Sequence, residues 1–500
     1  MMKLPRRLFL GTLLAGFARP LLAAAPASSL RPRLRPEGLG AEEATPAETL
    51  LAEAGVTGIS SFALARVGDA PNAPLLESHA PEASLPPASV GKCLTALYAL
   101  EVLGPKHRFA TRLMATGPLR NGRLDGDLIL VGGGDPGLDT TDLAGIAARM
   151  KSAGLREVAG KFYYHGSALP EARLIDASQP DHLGYNPGVS ALNLNYNRVH
   201  FEWKPEGGKW RVTMEARTKK YRPAVQIASM QIADRSSPVY TYADRGGRDE
   251  WTVSREALGK GGARWLPVRR PAAYAAEVFA TLARSGGLVL KTPEPLRQLP
   301  QGMTEIARHE SPQLGEIARL MLRYSNNLTA ELLGLSATTR ASGRPSSIPA
   351  SARAMSQWAA ERYGLSGVAM VDHSGLGDAS RFPTEALVRM LSAPGVSQRL
   401  QPILKDVVLM DEQGRKVSRP GLTVVGKTGT LNFVSGLAGY ADSRAGGSYA
   451  FAILSGDVPR RDALSRAERE RPRGGRTWTA RARRLQQALL LRWSQVYGSA

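Results

Sequence analysis

The chain has 500 residues, enough for two or three domains with a full core. Its hydrophobic share of 43% and charged share of 22% are ordinary for a soluble globular protein. The formal net charge of +21 reads as a basic solvated surface; with no zinc finger, glycine-rich phosphate loop or aromatic-basic repeat, it does not point to nucleic acid.

Residues 1–27 read as an export signal. Arg6-Arg7-Leu8-Phe9-Leu10 is a twin-arginine pattern, an apolar run follows to Leu22, and Ala23-Ala24-Ala25 or Ala25-Pro26-Ala27 offers a small-residue cleavage site. An ordinary secretory signal with a chance arginine pair is the alternative; either route exports the chain to the periplasm. Arg19 and Pro20 interrupt the apolar run, which is too short to span a membrane, so at most peripheral membrane contact is expected. Ser28 to Glu43, rich in Pro, Arg and Leu, reads as a linker.

Helix and strand signals begin near Ala47, and Ser60 to Val67 alternates as a strand. Ser89-Val90-Gly91-Lys92 then opens an apolar helix through Leu100, with Ser89 at the capping position after Pro86-Pro87. A spacing of three puts Lys92 on the face of Ser89, within reach of its hydroxyl. A lysine at the mouth of an apolar helix is partly desolvated, which lowers its pKa and suits it to act as a base. An adjacent base is what a serine needs to become a nucleophile. Cys93 is the only cysteine, so no intrachain disulfide is possible, and it reads as a small buried hydrophobe.

From about Thr111 to Pro300 the chain shows short strands and many turn signals. Val199–Trp203 and Trp210–Met214 flank Pro205-Glu206-Gly207-Gly208-Lys209 as a hairpin. Pro271 to Arg284 reads as a helix. No residue cluster in this stretch argues for chemistry of its own. Ser311-Pro312 then opens a helix with Ile317, Leu320, Met321 and Tyr324 at helical spacing, and Ser325-Asn326-Asn327 falls at its end. Asp372-His373-Ser374-Gly375-Leu376 reads as a surface turn. Leu422 to Gly426 leads as a strand into Lys427-Thr428-Gly429-Thr430, where Gly429 would let a substrate backbone approach the strand edge. Val434–Tyr440 and Tyr449–Leu454 supply two more strands. The last helix carries Trp478, Ala482, Leu485, Leu489 and Val496 in one stripe, and the basic stretch from Arg460 to Arg476 before it reads as a mobile surface loop.

Ser89-x-x-Lys92, Ser325-Asn326-Asn327 and Lys427-Thr428-Gly429 resemble, in this order, the three signatures of penicillin-binding proteins and serine β-lactamases. From Ser89 to Ser325 is 236 residues, and from Ser325 to Lys427 is 102. A long insert between the first two motifs resembles the class C low-molecular-mass penicillin-binding proteins, the D-alanyl-D-alanine carboxypeptidase/endopeptidase family. Gly126–Pro136 and Asp372–Leu376 add to the resemblance, although the family usually has Asp where Asn326 stands and Gly where His373 stands.

The resemblance implies an α/β (α+β) penicillin-binding-protein/serine β-lactamase-like transpeptidase fold. Residues 28–112 and 301–500 would form the catalytic domain, split by a mostly β insert over 113–300. It implies a hydrolase acting on peptidoglycan stem peptides through a Ser89 acyl-enzyme and acylated by β-lactams, with no metal or other cofactor. Ser89 would be the nucleophile, Lys92 its base and Ser325 a proton carrier. Asn327 would hold the peptide amide, and Lys427, Thr428 and Thr430 the terminal carboxylate, with Gly429 between them. The backbone N–H groups of Ser89 and Thr430 would form the oxyanion hole. A β-lactamase shares the motifs but does not need the insert, and a non-catalytic peptidoglycan-binding protein would not need all three motifs intact. The balance of carboxypeptidase and endopeptidase action, and the oligomeric state, stay open at this point.

Overall fold

The computed structural model describes residues 44–70 and 72–498; the expected export signal and linker lie outside them. Helix α1 (Ala47–Glu53) leads to β1 (Ile59–Arg66) and β2 (Glu77–His79). A 3-10 turn over Ala88–Gly91 runs directly into α2 (Lys92–Val102). Next come β3 (Ala110–Ala115), β4 (Leu128–Val131), α3 (Thr140–Ser152) and β5 (Phe162–His165). The hairpin of β6 (Arg198–Glu206) and β7 (Lys209–Glu215) is followed by β8 (Ala228–Ala233), β9 (Tyr240–Arg245), β10 (Arg248–Ser254) and β11 (Gly262–Pro267). Then come α4 (Pro271–Ser285), β12 (Thr304–Glu310), α5 (Leu314–Tyr324), α6 (Asn327–Ser342), α7 (Ile348–Tyr363) and α8 (Thr384–Ser392). The chain finishes with β13 (Leu422–Leu431), β14 (Val434–Ser443), β15 (Ser448–Gly456) and α9 (Gly475–Val496).

The sheet that carries the site is antiparallel. Its order is the short Lys405–Asp406 strand, then β13, β14, β15, β1 and β2. Both faces are covered, which explains why β1 does not alternate between buried and exposed: Ser61 to Ala65 are all buried. Ala63 and Ala65 pack with α2, α5, α7 and α8 in one core. Phe62 and Leu64 pack on the other side with Leu485, Leu489, Leu490 and Trp493 of α9. The stripe of α9 therefore runs through Trp493, not Val496, which is exposed on the outer face of the helix while Tyr497 still packs against the same core.

A second core runs from Leu113 to Ala307 and is built on smaller sheets. The sheet holding β5, β4, β3 and β12 is mixed, because β4 and β5 run parallel. In the hairpin, Phe201 faces Met214 and Trp203 faces Val212, as the alternating pattern requires.

The basic stretch is not a loose loop. Val458–Asp462 is a short helix, and Arg461 is buried, donating to the Asn432 carbonyl at 3.1 Å and lying 3.7 Å from Asp378. Arg469 pairs with Asp378 at 3.0 Å, and Arg466 with Asp181 at 2.8 Å. Its composition suggested mobility, but these carboxylates lie far away in sequence and fix it.

Candidate active site

Ala88 adopts a positive φ of 47°, turning the chain so that Ser89 sits inside a 3-10 turn. Ser89 is therefore not a side-chain cap; the turn is flanked by Pro87 and its hydroxyl is left for other work. From Lys92 to Leu100 every residue of α2 is buried. Lys92 Nζ lies 2.9 Å from Ser89 Oγ, 2.7 Å from Asn327 Oδ1 and 2.7 Å from the Ser374 carbonyl. Burial, then repulsion from Lys427, lowers its pKa to about 7. A neutral amine has two N–H groups and one lone pair. Asn327 Oδ1 and the Ser374 carbonyl can only accept, so they take the two N–H groups. The lone pair is left for Ser89, the one partner able to donate a proton.

Helix α5 ends at Tyr324 because Ser325 takes the left-handed conformation, φ 56° and ψ 37°. Asn326 then caps α6, accepting from Thr329 N at 2.9 Å. This reversal points Ser325 and Asn327 into the cleft and leaves Tyr324 exposed, outside the core stripe expected for it. The helix begins at Leu314, later than the expected Ser311, because Ser311 is held by Phe109 N and Arg108. Ser325 Oγ accepts from Lys427 Nζ at 2.9 Å, and Lys427 also donates to the Thr428 carbonyl at 2.6 Å. Burial lowers the Lys427 pKa to about 8. Asn327 Nδ2 donates to the Tyr185 carbonyl at 3.0 Å, a contact from the region between the first two motifs.

The Asp372–Leu376 segment is buried, not a surface turn. Asp372 accepts from Gly375 N and Gly377 N, both at 2.6 Å. Glu331 of α6 accepts from His373 N and Ser374 N, both at 3.0 Å. Burial pushes both carboxyl groups above their usual range. Together they fix the Ser374 carbonyl that faces Lys92. Burial holds His373 neutral, its pKa near 3, with Nε2 2.8 Å from Ser351 Oγ. Its ring fits because Gly334 faces it; a Cβ there would stand 2.1 Å from the imidazole. Glu331 escaped the sequence reading, which names Ser374 in the Asp372–Leu376 turn without a role. The available signal was a single carboxylate inside the apolar run Leu328–Leu335.

Strand β13 carries Lys427, Thr428, Gly429 and Thr430. The Lys405–Asp406 strand pairs with Gly426 and Val425, and among the described residues no strand pairs with the outer edge of β13 from Lys427 onward. A Cβ on Gly429 would stand 2.8 Å from the Pro87 carbonyl and 3.0 Å from Ser89 N. The space Gly429 leaves is thus taken by the Ser89 turn, which brings the nucleophile's amide against the strand. Thr428 and Thr430 are exposed at the edge. Of the eight residues expected at the site, Ser89, Lys92 and Asn327 are joined by hydrogen bonds, Ser325 and Lys427 by another, and Gly429 lies against the Ser89 turn. The side chains of Thr428 and Thr430 alternate to the α9 side of the strand, where Arg483 meets Thr430. Among the described residues, no group of His, Cys, Asp and Glu side chains is placed to hold a metal ion.

Residues 58–473 match the D-Ala-D-Ala carboxypeptidase 3 (S13) family. The chain belongs to this family. A D-alanyl-D-alanine carboxypeptidase of Actinomadura sp. (strain R39) is 28% identical over 404 residues, 74% of this chain and 73% of that protein. The D-alanyl-D-alanine carboxypeptidase DacB of Haemophilus influenzae is 25% identical over 410 residues, 76% and 82% of the two chains. The crystal structure of penicillin binding protein 4 from H. influenzae superposes with a TM-score of 0.69 at 20% identity, covering 89% of this chain and 99% of that one. A second structure of that protein, with a β-lactam bound, gives 0.66 over the same shares. The S13 chain described here therefore has the penicillin-binding-protein transpeptidase fold, mixed in helix and sheet, and is a serine-type D-alanyl-D-alanine carboxypeptidase by family.

Proposed function

We propose that this S13 enzyme hydrolyses the terminal D-alanyl-D-alanine bond of peptidoglycan stem peptides through an acyl-enzyme on Ser89. The observation that carries the reading is the Lys92 amine, whose lone pair has only Ser89 to face. Ser89 Oγ attacks the carbonyl carbon while its proton passes to Lys92. The N–H groups of Ser89 and Thr430 receive the developing oxyanion, a reading supported by the close approach of the Ser89 amide to β13. Lys427, Thr428 and Thr430 bind the terminal carboxylate, a cation and two hydroxyls suited to an anion. Asn327 holds the peptide amide. Ser325, bonded to Lys427, hands a proton to the departing D-alanine amine as the C–N bond breaks. The proton that Lys92 took from Ser89 restores Ser325, leaving Lys92 neutral for the next step. Water then opens the ester, returning Ser89. A β-lactam enters by the same attack and leaves a slow acyl-enzyme.

In the same reading, residues 28–112 and 301–500 form the catalytic domain and 113–300 the insert. Residues 1–27 direct export to the periplasm, where the stem peptides are. Replacing Arg6-Arg7 by Lys-Lys blocks export if the twin-arginine route is used; unchanged export leaves the ordinary secretory route. The function is tested by incubating purified protein with a D-alanyl-D-alanine peptide and measuring released D-alanine. Release by wild type and none by a folded Ser89→Ala protein is expected; release by Ser89→Ala would remove Ser89 as nucleophile.

A further inference from the structure

At the C-terminal end of β13 a cavity of about 820 Å³ lies between that strand and the start of α9. Thr430, Asn432, Arg471, Arg476 and Arg483 line it. Arg483 Nη2 donates to Thr430 Oγ1 at 3.4 Å, so the cavity reaches a residue read above as a carboxylate ligand. None of the three guanidinium groups forms an ion pair among the described residues. Glu470, the one acidic residue of the lining, lies 3.2 Å from His182 Nε2. The other large basic cavity, lined by Arg173, Arg269, Arg270, Arg297 and Arg344, differs in part. There Arg173 and Arg270 share Asp244, and Arg269 donates to the Asn186 and Asp181 carbonyls. Those three of its five guanidinium groups are held within the protein, whereas none of the three beside Thr430 meets a carboxylate among the described residues.

We propose that the cavity beside Thr430 is a leaving-group subsite that takes a second carboxylate, on the residue or peptide released beyond the scissile bond. It rests on the reading that Lys427, Thr428 and Thr430 bind the first. A departing D-alanine has one carboxylate, and those three residues suffice for it. A departing group with a further acidic side chain places it past Thr430 against Arg483, and then Arg476 and Arg471. Endopeptidase cleavage releases a peptide instead of a single D-alanine, so the cavity favours acidic peptides of that kind as leaving groups.

The test compares two peptides with the same acyl part, one releasing D-alanine and one releasing D-glutamate. The ratio of their kcat/KM values is measured for wild type, for Arg471→Gln/Arg476→Gln and for Arg471→Lys/Arg476→Lys. The ratio of glutamate to alanine release should fall about tenfold in the glutamine variant, the worth of two partly screened ion pairs. The lysine variant should recover most of it. The wild-type ratio should also fall as ionic strength rises from about 0.05 to about 0.5 M, because salt screens exposed charges. A wild-type ratio independent of salt overturns the subsite. So does an unchanged ratio in a glutamine variant that melts like wild type; if that variant is still acylated by benzylpenicillin, the acyl-enzyme reading stands without the subsite. If wild type turns over neither peptide, the acyl-enzyme reading falls and the subsite with it.

Discussion

Lys92 has three hydrogen-bond partners, and only Ser89 among them can hand it a proton. The base must be neutral to act, and its pKa is about 7, so acylation should rise with pH through that value as the amine loses its proton. Lys427 must keep its charge to bind a carboxylate, and its pKa is about 8, so peptide kcat/KM should fall again above that pH. The two amines repel each other, so the profile reports the pair. A peptide kcat/KM that does not change between pH 6 and 9 (roughly the span that brackets both values) would remove Lys92 as base. Arginine replacements separate the roles. Lys92→Arg stays charged at any working pH and should lose about a thousandfold in acylation rate, the usual reach of a positioned base. Lys427→Arg keeps its charge and should retain more; stopped-flow acylation with a β-lactam and with a peptide measures both. The Ser89–Lys92 pair was legible in the sequence because a spacing of three on a helix fixes it locally. The contact with the Ser374 carbonyl, and Glu331 that fixes it, were not, because the chain folds back over long sequence separations to bring them in.

At the scale of elements, the close contact of β13 with the Ser89 turn is the feature most open to test. Gly429→Ala would put a Cβ 2.8 Å from the Pro87 carbonyl, a backbone atom that cannot swing aside. The strand or the turn must move, and acylation should drop by about a hundredfold, the scale of a 1 Å misplacement. The loss in stability should be about 1–3 kcal/mol, typical of overpacking. Thermal melts and acylation rates measure the two effects separately; a normal acylation rate would show that the contact does not position the nucleophile. The strands and the last helix were readable because their apolar periods are long and bounded by turn signals. The departures have physical causes: two-sided burial erases the alternation of β1, and the α9 stripe meets the sheet through Trp493, which leaves Val496 on the outer face. A buried loop such as Asp372–Leu376 gives no period at all, since its order comes from carboxylates accepting backbone N–H groups.

Across the whole molecule, the cleft depends on contacts between distant parts of the chain. The Tyr185 carbonyl holds Asn327, while Arg466 reaches Asp181 and the Gln179 carbonyl. Asp378 answers Arg461 and Arg469 together. Asp378→Ala leaves the buried Arg461 without its carboxylate and should cost about 3 kcal/mol, as for a broken buried ion pair. Limited trypsin digestion should then cut the Arg460–Arg476 stretch, which should resist in wild type; equal cutting in both proteins would return that stretch to a mobile loop. The central claim is that Ser89 is the acylated residue. The measurement that meets it most directly is labelling with a fluorescent penicillin, followed by mass mapping of the modified peptide. The account predicts one adduct, on Ser89, absent from a folded Ser89→Ala protein. An adduct on another residue, or one that persists in Ser89→Ala, would contradict it.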